Sequence, residues 1–218
     1  MRPGFFLLLL AAVLLTGVHA QTPKTPDKKP PAADPKKLED IAKFSKVNEA
    51  YQAGLQFFSK GKGDEAVAKF TEALALVDGF TEARFARART YYEMKKSEPA
   101  VADFTRVIAD KPDMADAYYF RALALWNLHK PTEALADFDK AISKEPRNSA
   151  YREKRALLRE QEKQYAGARD DLDILVALDP LNAPALEQRA RVHKLMGEKE
   201  LAEQDETWAG KIRDAGLF

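Results

Sequence analysis

No cysteine occurs in these 218 residues. Disulfides, thiolate zinc sites, iron–sulfur clusters, a cysteine nucleophile and a lipid-modified N-terminal cysteine are thereby excluded. Histidine is almost as scarce, with three in the whole sequence, and His19 falls in a segment expected to be removed. An excess of one charge is missing too. The 35 Lys+Arg and 34 Asp+Glu leave a net charge of +1, whereas a dedicated nucleic-acid binder carries a basic face and a high pI. Nucleic acid is therefore not an expected partner. No segment reads as HExxH, GxSxG or a P-loop. Gly61-Lys62-Gly63 lacks the Walker spacing, His129 falls in a turn, and His193 stands on a packing face. Asp170, Asp171 and Asp173 fan over different faces of a helix and do not converge on a metal. The expectation is no catalytic residue, no metal and no cofactor.

Hydrophobic residues make up 45% of the sequence and charged residues 32%, a mixture that folds. The only long apolar run spans 5–15 and follows the positive charge of Arg2. Val18-His19-Ala20 then offers the small or branched residues that a signal peptidase reads. Residues 1–20 are expected to be a cleaved signal peptide, because the run stops short of the roughly 20 apolar residues that a membrane span needs. After cleavage no stable membrane span is expected. Residues 21–37 follow as an extended linker with five lysines, two aspartates and five prolines. Export without cysteine, and without any Asn-x-Ser/Thr acceptor, points to the bacterial periplasm, with secretion as the other destination.

Everything beyond the linker, 38–218, is periodic. Pro112, Pro146 and Pro180 stand 34 residues apart, as do Ala66, Ala100, Ala134, Ala168 and Ala202. Phe70, Phe104 and Phe138 form a third column, continued by Leu172. Gly54, Ala88, Ala122, Ala156 and Ala190 form a fourth. A fixed period of this length signals a solenoid. Within one period, Tyr118, Ala122 and Leu125 share one helical face, and Ala134, Phe138 and Ala141 share the next. Leu128-His129-Lys130-Pro131 forms the turn between them, with the proline in a first helical turn, where it is tolerated. Gly61 and Gly197 mark the matching turns of the outer units. Leu38, Ile41 and Phe44 extend the first helix back to near Pro35, with Asp34 as its cap. Leu201, Trp208 and Ile212 are expected to give the last helix one apolar face.

Two charged columns run with this pattern. Arg87, Arg121, Arg155 and Arg189 recur, and sixteen residues after each stand Asp103, Asp137, Asp171 and Asp205. The first unit has Ala53 and Lys69 instead, so arginine and aspartate are present or absent together. This co-occurrence points to a bridge between the two helices of a unit, and against a free arginine row for ligands.

The columns of small residue, small residue, aromatic, alanine and proline resemble the tetratricopeptide repeat family. They run over five units: 47–80, 81–114, 115–148, 149–182 and 183–216. The outer units depart from the pattern with Asp78 in place of proline and Glu206 in place of the aromatic. The resemblance implies an all-α, right-handed α-solenoid of five helix-turn-helix units. It also implies an adaptor or scaffold whose first helices line a concave groove that takes a protein or peptide. By the same resemblance, the fifth and twelfth positions of each unit face that groove. They are Tyr51 and Phe58, Phe85 and Tyr92, Tyr119 and Trp126, then Glu153 and Glu160, Glu187 and Lys194. Arg89 stands one turn from Phe85. The positions of the family's carboxylate clamp hold Tyr51, Leu55, Ala86, Asp116 and Phe120, which do not resemble that clamp. The partner-binding candidates are thus Tyr51, Phe58, Phe85, Arg89, Tyr92, Tyr119 and Trp126. The alternative occupant is an envelope polysaccharide or peptidoglycan stacked on the same rings. N-terminal sequencing of the protein recovered from its native host is expected to begin at Gln21; recovery of residues 1–20 would mean an anchored form.

Overall fold

The apolar spacing becomes helix throughout. A computed structural model describes residues 35–216, and among these there are ten helices and no strand. They are α1 (Pro35–Ser59), α2 (Gly63–Leu76), α3 (Thr81–Glu93), α4 (Ser97–Asp110), α5 (Ala115–Asn127), α6 (Pro131–Lys144), α7 (Ser149–Gln161), α8 (Tyr165–Leu178), α9 (Ala183–Met196) and α10 (Lys199–Asp214). From α3 onward the first helices start at 81, 115, 149 and 183, and the second helices, from α2, at 63, 97, 131, 165 and 199. Both sets advance by the 34-residue period. The signal segment 1–20, the cap Asp34 and most of the linker lie outside the described residues. The helix begins at Pro35, so the last three residues assigned to the linker are already helical.

Each turn within a hairpin closes the same way. Gly61, Lys95, His129, Lys163 and Gly197 all adopt positive φ, between 56° and 83°. The following N–H reaches back to the carbonyl five residues earlier: Lys62 to Phe57, Lys96 to Tyr91, Lys130 to Leu125, Gln164 to Arg159 and Glu198 to His193. This left-handed cap satisfies helix-end carbonyls that would otherwise be orphaned. Glycine occupies it without strain, and the two lysines and the histidine occupy it at a cost in backbone energy. Between hairpins, Pro112, Pro146 and Pro180 fall two residues past the last helical residue, where the missing N–H ends the helix. Asp78 takes that place in the first unit, and its carbonyl and carboxylate both accept from Arg84 Nη2, at 2.5 and 2.7 Å.

Three of the four columns are interior, and the prolines of the other are exposed. Phe70, Phe104, Phe138 and Leu172 are fully buried, as are the five alanines from Ala66 to Ala202. The small residues opposite let the two helix axes approach. Gly54 shows how tight this is: an added Cβ would lie 2.5 Å from Phe70 Cε1. The core is not one mass but a succession of clusters, each shared by neighbouring helices. Every helix packs on the one before and the one after, and α1 with α3 and α3 with α5 touch as well. The first helices of units 1–3 therefore lie on the inner side of the curve.

Apolar residues are exposed toward both ends of the described array. Ile41 and Phe44 are exposed on the N-terminal part of α1. On α10 the buried stripe is Ala202, Asp205, Ala209 and Ile212. Leu201 and Trp208, expected on that face with Ile212, are exposed instead, because they lie one residue off the stripe. Trp208 Nε1 donates to the Pro180 carbonyl at 3.1 Å.

The paired charges form a ladder through the whole array. Arg87, Arg121 and Arg189 each hold the aspartate sixteen residues ahead through Nε and Nη2, with every bond between 2.7 and 2.8 Å. Arg155 holds Asp171 with the same fork. The third nitrogen reaches sixteen residues back, into the preceding unit. Arg87 Nη1 donates to Thr71 at 3.0 Å and Arg121 Nη1 to Thr105 at 3.1 Å. Arg155 Nη1 donates to Asp139 at 2.5 Å and Arg189 Nη1 to Asp173 at 2.8 Å. One guanidinium thus joins three helices. The aspartates are buried and the arginines mostly so, which raises the value of two parallel charged hydrogen bonds and the cost of losing one partner. Asp137→Ala should cost about 3 kcal/mol in urea unfolding because it strands Arg121. The double change Arg121→Met with Asp137→Leu should cost less than that single one. A single-variant loss under about 1 kcal/mol would mean that the ladder behaves like an exposed ion pair.

Candidate peptide-binding face

The fifth-position rings have a structural task. Tyr51, Phe85 and Tyr119 lie against the buried phenylalanine of their own unit, with centroids 6.0, 5.7 and 5.9 Å from Phe70, Phe104 and Phe138. All three pack on a further ring as well, Tyr51 on Phe80 at 5.0 Å, Phe85 on Phe120 at 6.0 Å and Tyr119 on Tyr151 at 4.9 Å. Burial pushes the Tyr119 hydroxyl up to about 12, with Tyr92, Glu153 and Asp116 adding to the shift. Burial also raises Tyr151, whose hydroxyl donates to Asp116 at 2.7 Å. The twelfth-position side chains Phe58, Tyr92 and Trp126 make no ring pair with the phenylalanine column, though Tyr92 and Trp126 pack beside it. Trp126 Nε1 donates to Gln161 at 3.1 Å, and Tyr92 lies edge-on to Phe120 at 6.2 Å.

The seven sequence-predicted residues fall into two groups. Tyr51, Phe58, Phe85 and Arg89 surround one hollow of about 240 Å³ between units 1 and 2, together with Leu55, Ala86 and Met114. Tyr92, Tyr119 and Trp126 pack against the cluster around Phe138 and Leu158 in the next unit. Phe120 joins the two groups. Its ring touches Phe85, Tyr92, Phe104 and Tyr119, and the Arg89 guanidinium lies over it at 4.7 Å. The spacing of groove positions does not mark Phe120. Its column reads Gln52, Ala86, Phe120, Lys154, Gln188, and a single ring in a polar or small column is the one signal the sequence offers. The small Ala86 at the same position one unit earlier lines the hollow.

The charged half of the face is internally satisfied. Glu160 accepts from Arg191 at 2.5 Å and from Gln188 at 3.1 Å. Glu187 pairs with Arg213 at 2.5 Å, Lys194 with Glu206 at 2.5 Å and Glu153 with Lys154 at 3.2 Å. His193 is buried, with Nδ1 2.6 Å from Glu198. Asp170, Asp171 and Asp173 are distributed among Arg169, Arg155 with Arg159, and Arg189. Among the described residues no group of His, Asp and Glu is placed to hold a metal ion. No helix among them is long and apolar enough to cross a membrane.

Five helical hairpins at constant period, three of them with a buried ring in the small-residue slot and the fourth with Leu172, define a helical-repeat solenoid. A tetratricopeptide repeat profile matches residues 85–135 and 121–183. The protein is a member of the tetratricopeptide repeat family. It is similar in fold to MamA (residue 41 to the end) from Desulfovibrio magneticus RS-1, with a TM-score of 0.73 and 15% identity over 78% of this chain and 96% of that one. It is likewise similar to YrrB, described as a TPR protein with an unusual peptide-binding site, at 0.68 and 18% over 82% and 91%. The first TPR of Spaghetti (RPAP3), solved bound to the HSP90 peptide SRMEEVD, aligns at 0.53 and 24% over 55% and 94%. Comparison with curated protein sequences finds no match.

Because the fold favours neutral Tyr119, its contribution is complete below the unfolded tyrosine value near 10 and is lost as pH rises through about 12. Urea midpoints of the native protein should therefore fall between these pH values more steeply than those of Tyr119→Phe. Identical slopes would mean that the hydroxyl ionises freely in the fold.

Proposed function

We propose that the protein is an exported adaptor, not an enzyme, which holds an extended segment of a partner protein against the first helices of units 1–3. The observation that carries this reading is the contrast along the inner face. Units 4 and 5 pair their charges internally, while units 1–3 present partly exposed rings, and those of units 1 and 2 border an open hollow. Stiff aromatic side chains offer contact area with little entropy to lose, which is why they carry binding energy in interfaces. The peptide-binding neighbours in the family support the class of ligand. Glycan stacking needs free ring faces, whereas Tyr51, Phe85 and Tyr119 lean on neighbouring rings. Export to the periplasm, or secretion, rests on the signal-like sequence 1–20 and the absence of cysteine.

Crosslinking the protein in its native envelope and identifying the captured partner tests this reading. Trp126→Ala and Tyr92→Ala should each weaken that capture by about 1–2 kcal/mol with thermal melts close to the native one. Lost stability with unchanged partner affinity would falsify the assignment of these rings to binding.

A further inference from the structure

Arginine is common on this solenoid, and the half-buried ones are held by acceptors: the four ladder arginines by carboxylates, Arg159 by Asp171 and Arg84 by Asp78. Arg89 is different. It forms no hydrogen bond or ion pair among the described residues, whereas Arg84 and Arg152, whose Nε atoms are likewise buried without a partner, each donate from a terminal nitrogen. It is held by rings instead. The guanidinium lies 4.7 Å from the Phe120 centroid and 5.7 Å from that of Phe58. Stacking satisfies the faces of a guanidinium and leaves its in-plane N–H donors wanting acceptors. Ring contacts also hold the group in place, so a ligand that meets it does not have to order a long side chain.

The rest of the hollow specifies what the ligand carries. Its lining is mostly apolar, from Tyr51, Leu55, Phe58, Phe85 and Met114. The other two charges there, Lys111 and Glu82, pair with each other at 2.5 Å. The charge left over is that of Arg89, which balances one carboxylate and not a dianion. The volume of about 240 Å³ is on the order of eight waters, enough for one large apolar side chain beside a carboxylate. The protein's own linker does not match, since residues 21–37 carry five lysines against two aspartates and no aliphatic side chain larger than alanine or proline.

We infer that the hollow between units 1 and 2 binds a partner segment at a carboxylate adjoining a large apolar side chain, with Arg89 as the carboxylate's donor. The carboxylate comes either from the C-terminus of the partner or from an Asp or Glu side chain. This inference rests on the adaptor reading above and narrows it.

The test uses the full-length protein and immobilised pools of acetylated random hexapeptides. One pair of pools ends in leucine, as the free acid or as the amide. A second pair ends in the amide and contains a fixed Leu-Asp or Leu-Asn step. At least one acid pool should be retained tenfold or more above its neutral counterpart, and the pair that does so identifies the source of the carboxylate. Arg89→Gln should abolish the excess. Ala86→Glu, which places a carboxylate in the hollow, should abolish it too, while Ala86→Gln, of the same bulk, should keep most of it. Melts of each variant separate these losses from unfolding, and the acid-to-neutral ratio on the native protein needs no variant at all. Equal retention of acid and neutral pools overturns the inference and leaves the adaptor reading standing. So does retention of no pool, or an excess that survives Arg89→Gln. The adaptor reading itself stands or falls on partner capture by the Tyr92 and Trp126 variants.

Discussion

A ring in a slot made by small residues is the contact on which this molecule depends. An open solenoid has no closed core, so each pair of adjacent helices must bury enough surface by itself. Phe70, Phe104 and Phe138 do this in units 1–3 and Leu172 does so in unit 4, each facing glycine or alanine, and each is fully buried. A larger residue opposite would force the helices apart, and because the contact recurs, the error would change how the next unit sits. The left-handed turn at the end of each first helix is the companion constraint. It sets the angle at which the second helix returns, and it is kept even where lysine or histidine must adopt positive φ.

The arginine forks act at the level above. Packing of apolar side chains tolerates some sliding, whereas a bidentate guanidinium–carboxylate pair is directional. Each fork ties the two helices of its unit and also reaches the second helix of the preceding unit. Register between units is thus pinned by polar geometry, with the apolar contacts supplying most of the burial. The first unit, with Ala53 and Lys69 in these columns, has no such fork.

This division frees the inner face. Since the Phe column and the forks supply the repeated contacts between helices, the twelfth-position side chains and Arg89 stand outside both sets. Arg89 and the ladder arginines share a residue type and a helix but differ in surroundings. Arg87 meets Asp103 across the hairpin, while Arg89, two residues on and turned toward the inner side, meets only rings.

The sequence by itself determined whatever repeats. A 34-residue period in small, aromatic and proline residues determines ten helices and their pairing, and the joint presence of arginine and aspartate determines the rungs, because each pair lies within one unit. The contacts that cross between units were settled by the tertiary structure. Thr71, Thr105, Asp139 and Asp173 complete the forks from the preceding unit, a column of mixed chemistry that periodicity alone does not mark. Phe120 joins two groups of rings because curvature brings α3 and α5 together. Leu201 and Trp208 look apolar enough to be buried, yet they are exposed on α10. In each case the deciding quantity is the distance between residues on different hairpins, which depends on how the units stack and not on the order of residues within any one of them.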